Sequence, residues 1–482
     1  MFDVAIIGGG ACGCSMLYEL SRYKVNAVLL EKENDVSVGT TKANSAIVHA
    51  GYDPEPGTVM ARCNVEGNRI IEQLCKDLDI LYDKIGSLVL GFSEEDRKTV
   101  EKLYHRGIEN GVPGLRIVEK EELHQMEPAL SDDALFALWA PSGAIINPWE
   151  LAIAQAEAAV DGGAKVMLDA QVTDIKKNGD FFTLQTAKGE VQARFVVNAA
   201  GVYTDQIAAM VGDHSFKITP NRGEYFVLDT TQGKLVKHVI FQCPTKVGKG
   251  VLVSPTVHGN LIVGPNAEDV DADDADTTSG GLHAVRQAAV RSVPNINFRD
   301  SIRNFAGVRA ISTQDDFIVE ESKACKGFFH MAGIKSPGLT SSPAIAREIV
   351  QMLHKAGLEL APNPNFVAKR RVLRFKSLNA KERGEAIQRN PLYGTIVCRC
   401  ETVTEGEIVD AMHRPLPPRS VDGIKRRCTP GMGRCQGGFC GPRVQAIIAR
   451  ELGIPESQVP LDRAGMDIIL GRTKEQKEAA EQ

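Results

Sequence analysis

Nowhere does the sequence stay apolar for the ~20 residues that a bilayer-spanning helix needs. No transmembrane segment is therefore expected, and at most a peripheral membrane association through a partner. The first residues, MFDVAIIGGG, lack the basic start and the small-residue cleavage site of a secretory signal, so a cytoplasmic protein is expected. An excess of one charge is also missing. Lys and Arg number 56 against 61 Asp and Glu, a net charge of −5, which excludes a nucleic-acid binder of the bulk-basic kind. The hydrophobic share, 43%, is ordinary and excludes a disordered chain. Disulfides are rare in reducing compartments, so the eleven cysteines need another explanation. Five fall between residues 398 and 440, which points to metal, and the other six are scattered and read as core fillers. The length allows about two or three domains.

What is present begins at residue 4. Val4 to Ile7 is a short apolar run, expected of a strand buried on both faces. Gly8, Gly10 and Gly13 follow as G-x-G-x-x-G, and residues 11–23 read as a helix with Met16, Leu17 and Leu20 on one stripe. A second strand, 26–30, ends at the acid Glu31. This is a dinucleotide fingerprint: Gly8 permits the tight turn, Gly10 lets the backbone approach a pyrophosphate, and Gly13 lets the helix pack close. The helix N-terminus stabilises phosphate charge, and Glu31 can accept from ribose hydroxyls. No second G-x-G-x-x-G occurs, so no separate nicotinamide domain is expected.

Near the other end, Cys398 and Cys400 form C-x-C, and Cys435 and Cys440 form C-x4-C. Two close thiolate pairs supply all the ligands of a tetrahedral-sulfur metal site. Structural zinc usually has C-x2-4-C knuckles, whereas this chain has C-x-C, and a [4Fe–4S] ferredoxin run is also a poor match. Cys428 is a spare thiol. Thr402 or Thr404 could cap a helix starting near Glu405, and Thr404, three residues before Glu407, has the spacing of a capping box. Arg426, Arg427 and Arg434 are near the ligands in sequence, where positive charge raises a cluster's potential. Between the two ends, residues 369–389 carry eight basic residues against two acids and read as a cationic linker. The acidic run DVDADDAD, 269–276, reads as a solvated loop.

The texts IIGGGACG, NSAIVHAG, NAAG, PNRGEYF, SPTVHGNLIVGP, FAGVRA and GIKSPGLTSS resemble the D-amino-acid-oxidase superfamily of FAD enzymes. The branch is that of the L-2-hydroxyglutarate dehydrogenases and the anaerobic glycerol-3-phosphate dehydrogenase large subunits. The cysteine segment resembles the bacterioferritin-associated ferredoxin-like [2Fe–2S] module. The resemblance implies an α/β fold: a Rossmann-like FAD-binding domain with an inserted antiparallel-sheet substrate domain, plus a small helical [2Fe–2S]-binding C-terminal domain. The expected boundaries are 1–360 for the oxidoreductase domain, 361–394 for the linker, 395–455 for the cluster domain and 456–482 for a tail. Within the first, FAD binding is expected of about 1–84, 141–215 and 306–360, with insertions at about 85–140 and 216–305.

The resemblance also implies a cofactor site. Gly8, Gly10, Ala11, Gly13, Glu31 and Lys32 would hold the ADP half of FAD. Thr40, Thr41, Asn44 and Ser45 would line its middle, Val172 would contact the adenine side, and Ala200 and Gly201 would back the pyrophosphate. Gly338, Leu339 and Thr340 would face the flavin pyrimidine from a helix N-terminus. For the substrate, Arg309 and Arg222 are candidate anion binders, since a guanidinium takes a carboxylate or phosphate bidentately; the bland alternative for Arg309 is pairing with Asp315 or Asp316. His49 is a candidate base or only orients the flavin. Tyr225 and Lys335 are further candidate substrate contacts, and His258 and His330 read as structural. The chain departs from the aerobic glycerol-3-phosphate dehydrogenases, having HAGYDP and SPGLTSS where those have other turns.

The expected function joins the two ends. A small anionic secondary alcohol, with glycerol 3-phosphate the first choice, gives a hydride to flavin, and electrons leave singly through the cluster to a redox partner subunit. The alternatives are an L-2-hydroxy acid such as L-2-hydroxyglutarate, an amino or imino acid, or an electron-transfer subunit with no substrate of its own.

Overall fold

The computed structural model describes residues 1–244 and 250–471. The described chain forms two compact units. The first holds residues 1–32 and 36–370, and the second holds 33–35 together with the described residues from Arg371 onward.

The first unit is built on two large sheets and a small three-stranded one. The N-terminal strand Phe2–Ile7 runs parallel to Ala27–Leu30 on one side and to Gly189–Asn198 on the other. All four residues of Val4–Ile7 and all four of Ala27–Leu30 are buried, as a strand covered on both faces requires. The sheet continues through the hairpin strands Phe181–Thr186 and Val172–Asn178 at one edge and Lys165–Met167 at the other. Phe328–Ala332 lies parallel to the end of Gly189–Asn198, and Ile318–Glu321 closes on it antiparallel. The helix Gly338–Lys355 packs against both Ala11–Ser21 and Val59–Leu78. Gly67 makes this possible, because a Cβ there would lie 2.0 Å from the Thr340 carbonyl oxygen.

The second sheet has nine strands. Its long pair, Ile218–Leu228 with Ser301–Ser312, is antiparallel over almost its whole length. The rest is antiparallel apart from one parallel pair, Val239–Gln242 with Ser87–Gly91. Two apolar layers cover it, one including Val89, Phe136, Leu138, Tyr225 and Phe241, the other Leu88, Leu90, Leu228, Ile240 and Val263. Alternation along each strand sends neighbours to opposite layers.

The second unit is mainly helical: Ala380–Arg389, Glu405–Met412, Val421–Cys428 and Gly441–Leu452, with the small strands Ile396–Cys398 and Val403–Thr404. Val397, Ile408, Ile424, Val444 and Ile448 form its core. The capping box at Thr404 and Glu407 is present; replacing such a cap by Ala costs about 1 kcal/mol. Two segments differ from expectation. Residues 371–394 are more than a linker: Phe375, Ala386 and Tyr393 make a small core of their own, and the Phe375 amide donates to Glu407 Oε1 at 3.0 Å. The start of the tail is also packed, with Val459 and Asp462 buried; residues 472–482 of that tail lie outside the described residues. Among the described residues no helix is long and apolar enough to cross a membrane.

Candidate functional site

The dinucleotide turn connects strand Phe2–Ile7 to helix Ala11–Ser21. Gly8 has φ +105°, and a Cβ there would lie 2.5 Å from the Ala199 carbonyl oxygen. A Cβ on Gly13 would lie 1.9 Å from the Gly8 carbonyl oxygen. Only glycine permits both approaches. The helix has Gly10 as its N-cap, with no side-chain cap, and the Ala11 amide donates to Thr41 Oγ1 at 2.9 Å. Glu31 is buried at the end of the second strand and accepts from the Gly9 amide at 2.6 Å. Lys32 lies 4.1 Å from the ring centroid of Tyr203. A bare turn at a positive helix end beside a buried acid fits the ADP half of a dinucleotide.

The next loop is pinned to the second sheet. Thr40 Oγ1 donates to the Val308 carbonyl at 2.6 Å, and Asn44 Nδ2 donates to the Thr41 carbonyl at 2.8 Å. Ser45 Oγ lies 3.1 Å from the Tyr225 hydroxyl, and Tyr225 stacks on Phe305 with ring centroids 4.7 Å apart. Val172 is buried at the start of its strand, while Ala200 and Gly201, the latter with φ +60°, lead into a short turn. Gly338, Leu339 and Thr340 form the first turn of their helix, as a helix N-terminus there requires. Thr340 Oγ1 accepts the His49 amide at 2.9 Å. Two parts of the expected cofactor site, 49 and 340, are thus joined directly.

His49 is fixed from several sides. Its carbonyl accepts from Asn64 Nδ2 at 2.9 Å and Asn68 Nδ2 at 3.1 Å. Its ring stacks on Phe241, centroids 5.7 Å apart, and Nε2 lies 3.1 Å from Ser336 Oγ. His49, Asn64 and Pro337 line one open hollow. Sequence reasoning missed Ser336, Asn64 and Asn68. Ser336 stands in the quoted GIKSPGLTSS, but nothing local marks it as a partner of a residue 287 positions away. Of the other histidines, His258 stacks on Trp149, and His330 is buried beside Asp213 at 3.2 Å. Lys335 is half-buried, its amide donating to the Gly333 carbonyl at 2.9 Å.

The two arginines part company. Arg309 donates to Asn221 Oδ1 at 2.6 Å and to the carbonyls of Asn266 at 3.0 Å and Arg222 at 3.3 Å. These are neutral oxygens, so the guanidinium is held while its charge stays uncompensated by them. Asp316, one proposed structural partner, is committed to the amides of Val59 and Met60 at 2.7 and 2.8 Å. Arg222 corrects the expectation of an anion binder. It is buried among Asp274 at 2.7 Å, Glu268 at 2.8 Å and Glu224 at 3.7 Å. Asp274 and Glu268 already take its fork and Glu224 adds negative charge beside it, and a substrate anion would have to compete with them. The run 269–276 is accordingly not a simple solvated loop. Asp274 clamps Arg222, Asp269 accepts from Asn221 at 2.8 Å, and Asp273 accepts from the Tyr203 hydroxyl.

In the second unit the four thiols gather. Cys398 Sγ lies 3.7 Å from Cys400 Sγ, with Cys440 neighbouring Cys398 and Cys435 neighbouring Cys400. The Cys398 thiol is pushed down to about 5, first by Cys440 and then, against burial, by the amides of Gly431 and Glu401. Burial and the adjoining thiols push Cys400 up to about 11. Cys435 is lowered, first by the Phe439 amide. A Cβ at Gly433 would lie 2.6 Å from Cys400 Sγ. Among the described residues, no three metal-binding side chains converge on a single-ion point; the thiols are strung as neighbours, with amides aimed at them. Four thiols with amide donors suit an iron–sulfur cluster. Cys428 lies at a helix end with its thiol on the Ile424 carbonyl, and burial pushes it up. Arg426 and Arg427 need correction too: they are buried in ion pairs with Asp35 and Asp462, so their charge is neutralised locally.

Fold and site together define a flavin-dinucleotide redox protein with an attached thiolate cluster domain. The family model for FAD dependent oxidoreductases matches residues 3–352, and that for the BFD-like [2Fe-2S] binding domain matches residues 396–450. A glycerol 3-phosphate dehydrogenase of Caloramator mitchellensis is 49% identical over 98% of this chain and 99% of its own. A bovine (Bos taurus) mitochondrial L-2-hydroxyglutarate dehydrogenase is 29% identical over 72% of this chain and 87% of its own. Among solved structures, the dithionite-reduced L-α-glycerophosphate oxidase of Mycoplasma pneumoniae with FAD bound superimposes with a TM-score of 0.73 at 32% identity, covering 76% of this chain and 98% of that one. The chain belongs to the FAD dependent oxidoreductase family and carries a BFD-like [2Fe-2S] binding domain.

Proposed function

We propose that this chain oxidises glycerol 3-phosphate to dihydroxyacetone phosphate and passes the electrons to a protein partner. The observation that carries the reading is the 49% identity, over nearly both full lengths, to a glycerol 3-phosphate dehydrogenase that spans the cluster domain as well. When bound, FAD supplies a hydride acceptor and the [2Fe–2S] cluster a one-electron outlet.

The chain's own residues account for the rest. His49 would take the hydroxyl proton as the C–H bond breaks. Ser336 Oγ, 3.1 Å from Nε2, orients the ring, and the Phe241 ring is stacked on one face of the imidazole. Arg309 would bind the substrate's phosphate, a role supported by its hydrogen bonds to neutral oxygens only. Tyr225 would position the loop through Ser45. Gly8, Gly10, Ala11, Gly13, Glu31 and Lys32 would hold the ADP half of FAD. Thr40, Thr41, Asn44, Ser45, Val172, Ala200, Gly201, Gly338, Leu339 and Thr340 would hold the remainder. Cys398, Cys400, Cys435 and Cys440 would ligate the iron. The reading includes a redox partner subunit and a cytoplasmic location; eleven cysteines without a disulfide support the latter.

The test is anaerobic: glycerol 3-phosphate added to the purified protein should bleach the flavin absorbance. A second reading, oxidation of L-2-hydroxyglutarate, is favoured by the bovine relative. Bleaching by L-2-hydroxyglutarate and not by glycerol 3-phosphate would replace the first reading with the second.

A further inference from the structure

The second unit carries a surface feature that substrate oxidation does not use. Within three residues of a ligand cysteine stand three arginines, Arg399, Arg434 and Arg443, and all are exposed. The same stretches hold one acid, Glu401, against these three arginines, so their formal charge is positive. In the second of these stretches Phe439 is 86% exposed. It directly precedes the buried ligand Cys440, and its amide points at Cys435. The ligand loop itself therefore holds an aromatic ring in solvent next to the thiols. Cys400 is exposed as well, so the site for iron reaches the surface here. Aromatic residues and arginine are enriched at protein interfaces.

We infer that this rim docks a small acidic one-electron carrier protein, with Phe439 as the apolar centre and Arg399, Arg434 and Arg443 as the cationic ring. The inference rests on the dehydrogenase reading above, in which electrons leave through the cluster. The balance is complete. Oxidising a secondary alcohol to a ketone breaks one C–H and one O–H bond and forms C=O, releasing two electrons and two protons. Two oxidised carrier molecules take one electron each, and both protons pass to solvent. Charge complementarity selects an acidic partner and speeds encounter at low salt.

The test uses the full holoprotein, reduced anaerobically with dithionite, and two haem carriers of opposite charge: acidic cytochrome b5 and basic cytochrome c. Reduction of cytochrome b5, followed by stopped flow, should saturate and should slow about tenfold or more as salt rises to about 0.3 M. Arg399→Glu should slow it about tenfold at low salt and speed cytochrome c, and Arg399→Lys should restore the native rates. Phe439→Ala, which removes no charge, should weaken saturation while keeping the salt dependence; it keeps the test open if an arginine variant fails to assemble its cluster. The inference is overturned by rates indifferent to salt and to these variants, or by native protein that prefers cytochrome c. It is also overturned if the loss in Arg399→Glu accompanies a shifted cluster potential, which assigns the arginines to tuning, or if only quinone-bearing anionic vesicles respond, which assigns the rim to a membrane. Because dithionite supplies the electrons, these outcomes are separate from whether glycerol 3-phosphate bleaches the flavin.

Discussion

Arg222 and Arg309 look alike in the sequence: each lies in a strand text with small residues before or after it. They differ because residues 268 and 274 return to one and not to the other. This sets one prediction. Arg309→Ala should raise KM for glycerol 3-phosphate by about tenfold to a hundredfold, the loss of one charged hydrogen-bonded pair; steady-state kinetics checks it, and an unchanged KM removes Arg309 from the anion site. His49 carries a second. His49→Ala should lower the rate of substrate-driven flavin bleaching by about 10²–10⁴ while flavin content stays near native, since its contact to Thr340 is made by the backbone. If flavin is lost instead, His49 serves the cofactor and is not the base. His49 was readable from the sequence as a candidate. Its partner Ser336 was not, because the pairing spans two distant loops.

Among elements, the strand–glycine turn–helix–strand at the start was legible almost residue by residue. Its signals are local: an apolar run, three glycines at fixed offsets, an amphipathic stripe and an acid. The same holds for the helix after Thr404, whose cap and Glu407 lie three residues apart. Less legible was the helix at 338. No side-chain cap marks its start, with Pro337 at the N-cap and Gly338 the first helical residue. The glycine turn yields a third prediction. Gly13→Ala puts a methyl against the Gly8 carbonyl, where a Cβ would be 1.9 Å away. Forcing the helix back should cost about 1–3 kcal/mol and leave most of the purified protein without flavin, as the ratio of flavin to protein absorbance will show.

At the scale of the whole molecule, residues 33–35 belong to the second unit although they follow the Glu31 strand within the first. Asp35 is buried there, bidentate to Arg427 at 2.7 and 2.9 Å and 3.2 Å from Arg426. Burial alone would raise its carboxyl, but Arg427 and then Arg426 hold it below the usual carboxylate range. A depressed carboxyl contributes stability above its unfolded value of about 3.9, and that contribution is lost as pH falls further through the folded value. Asp35→Asn leaves two buried guanidiniums short of a partner and should destabilise the second unit by about 3–5 kcal/mol. Denaturant titration followed at the cluster's visible absorbance checks this, and the native protein's extra acid sensitivity below about pH 4 should be absent from the variant. Cys398→Ser should abolish the iron and the reduction of external one-electron carriers, while anaerobic bleaching of the flavin by substrate survives; iron analysis beside flavin spectra separates the two effects.

By itself the sequence determined what depends on neighbours along the chain: the dinucleotide turn, the paired cysteines, the capping box and the alternating strands. Each is set by spacings of two to five residues, over which backbone geometry leaves little choice. Only the tertiary structure decided which arginine keeps its charge, that the acidic run is a clamp, that Ser336 meets His49, that residues 371–394 pack into the second unit, and that Phe439 stands in solvent. Those outcomes depend on contacts between residues tens to hundreds of positions apart, where the same side chain becomes ligand, clamp or anchor according to what the fold brings to it.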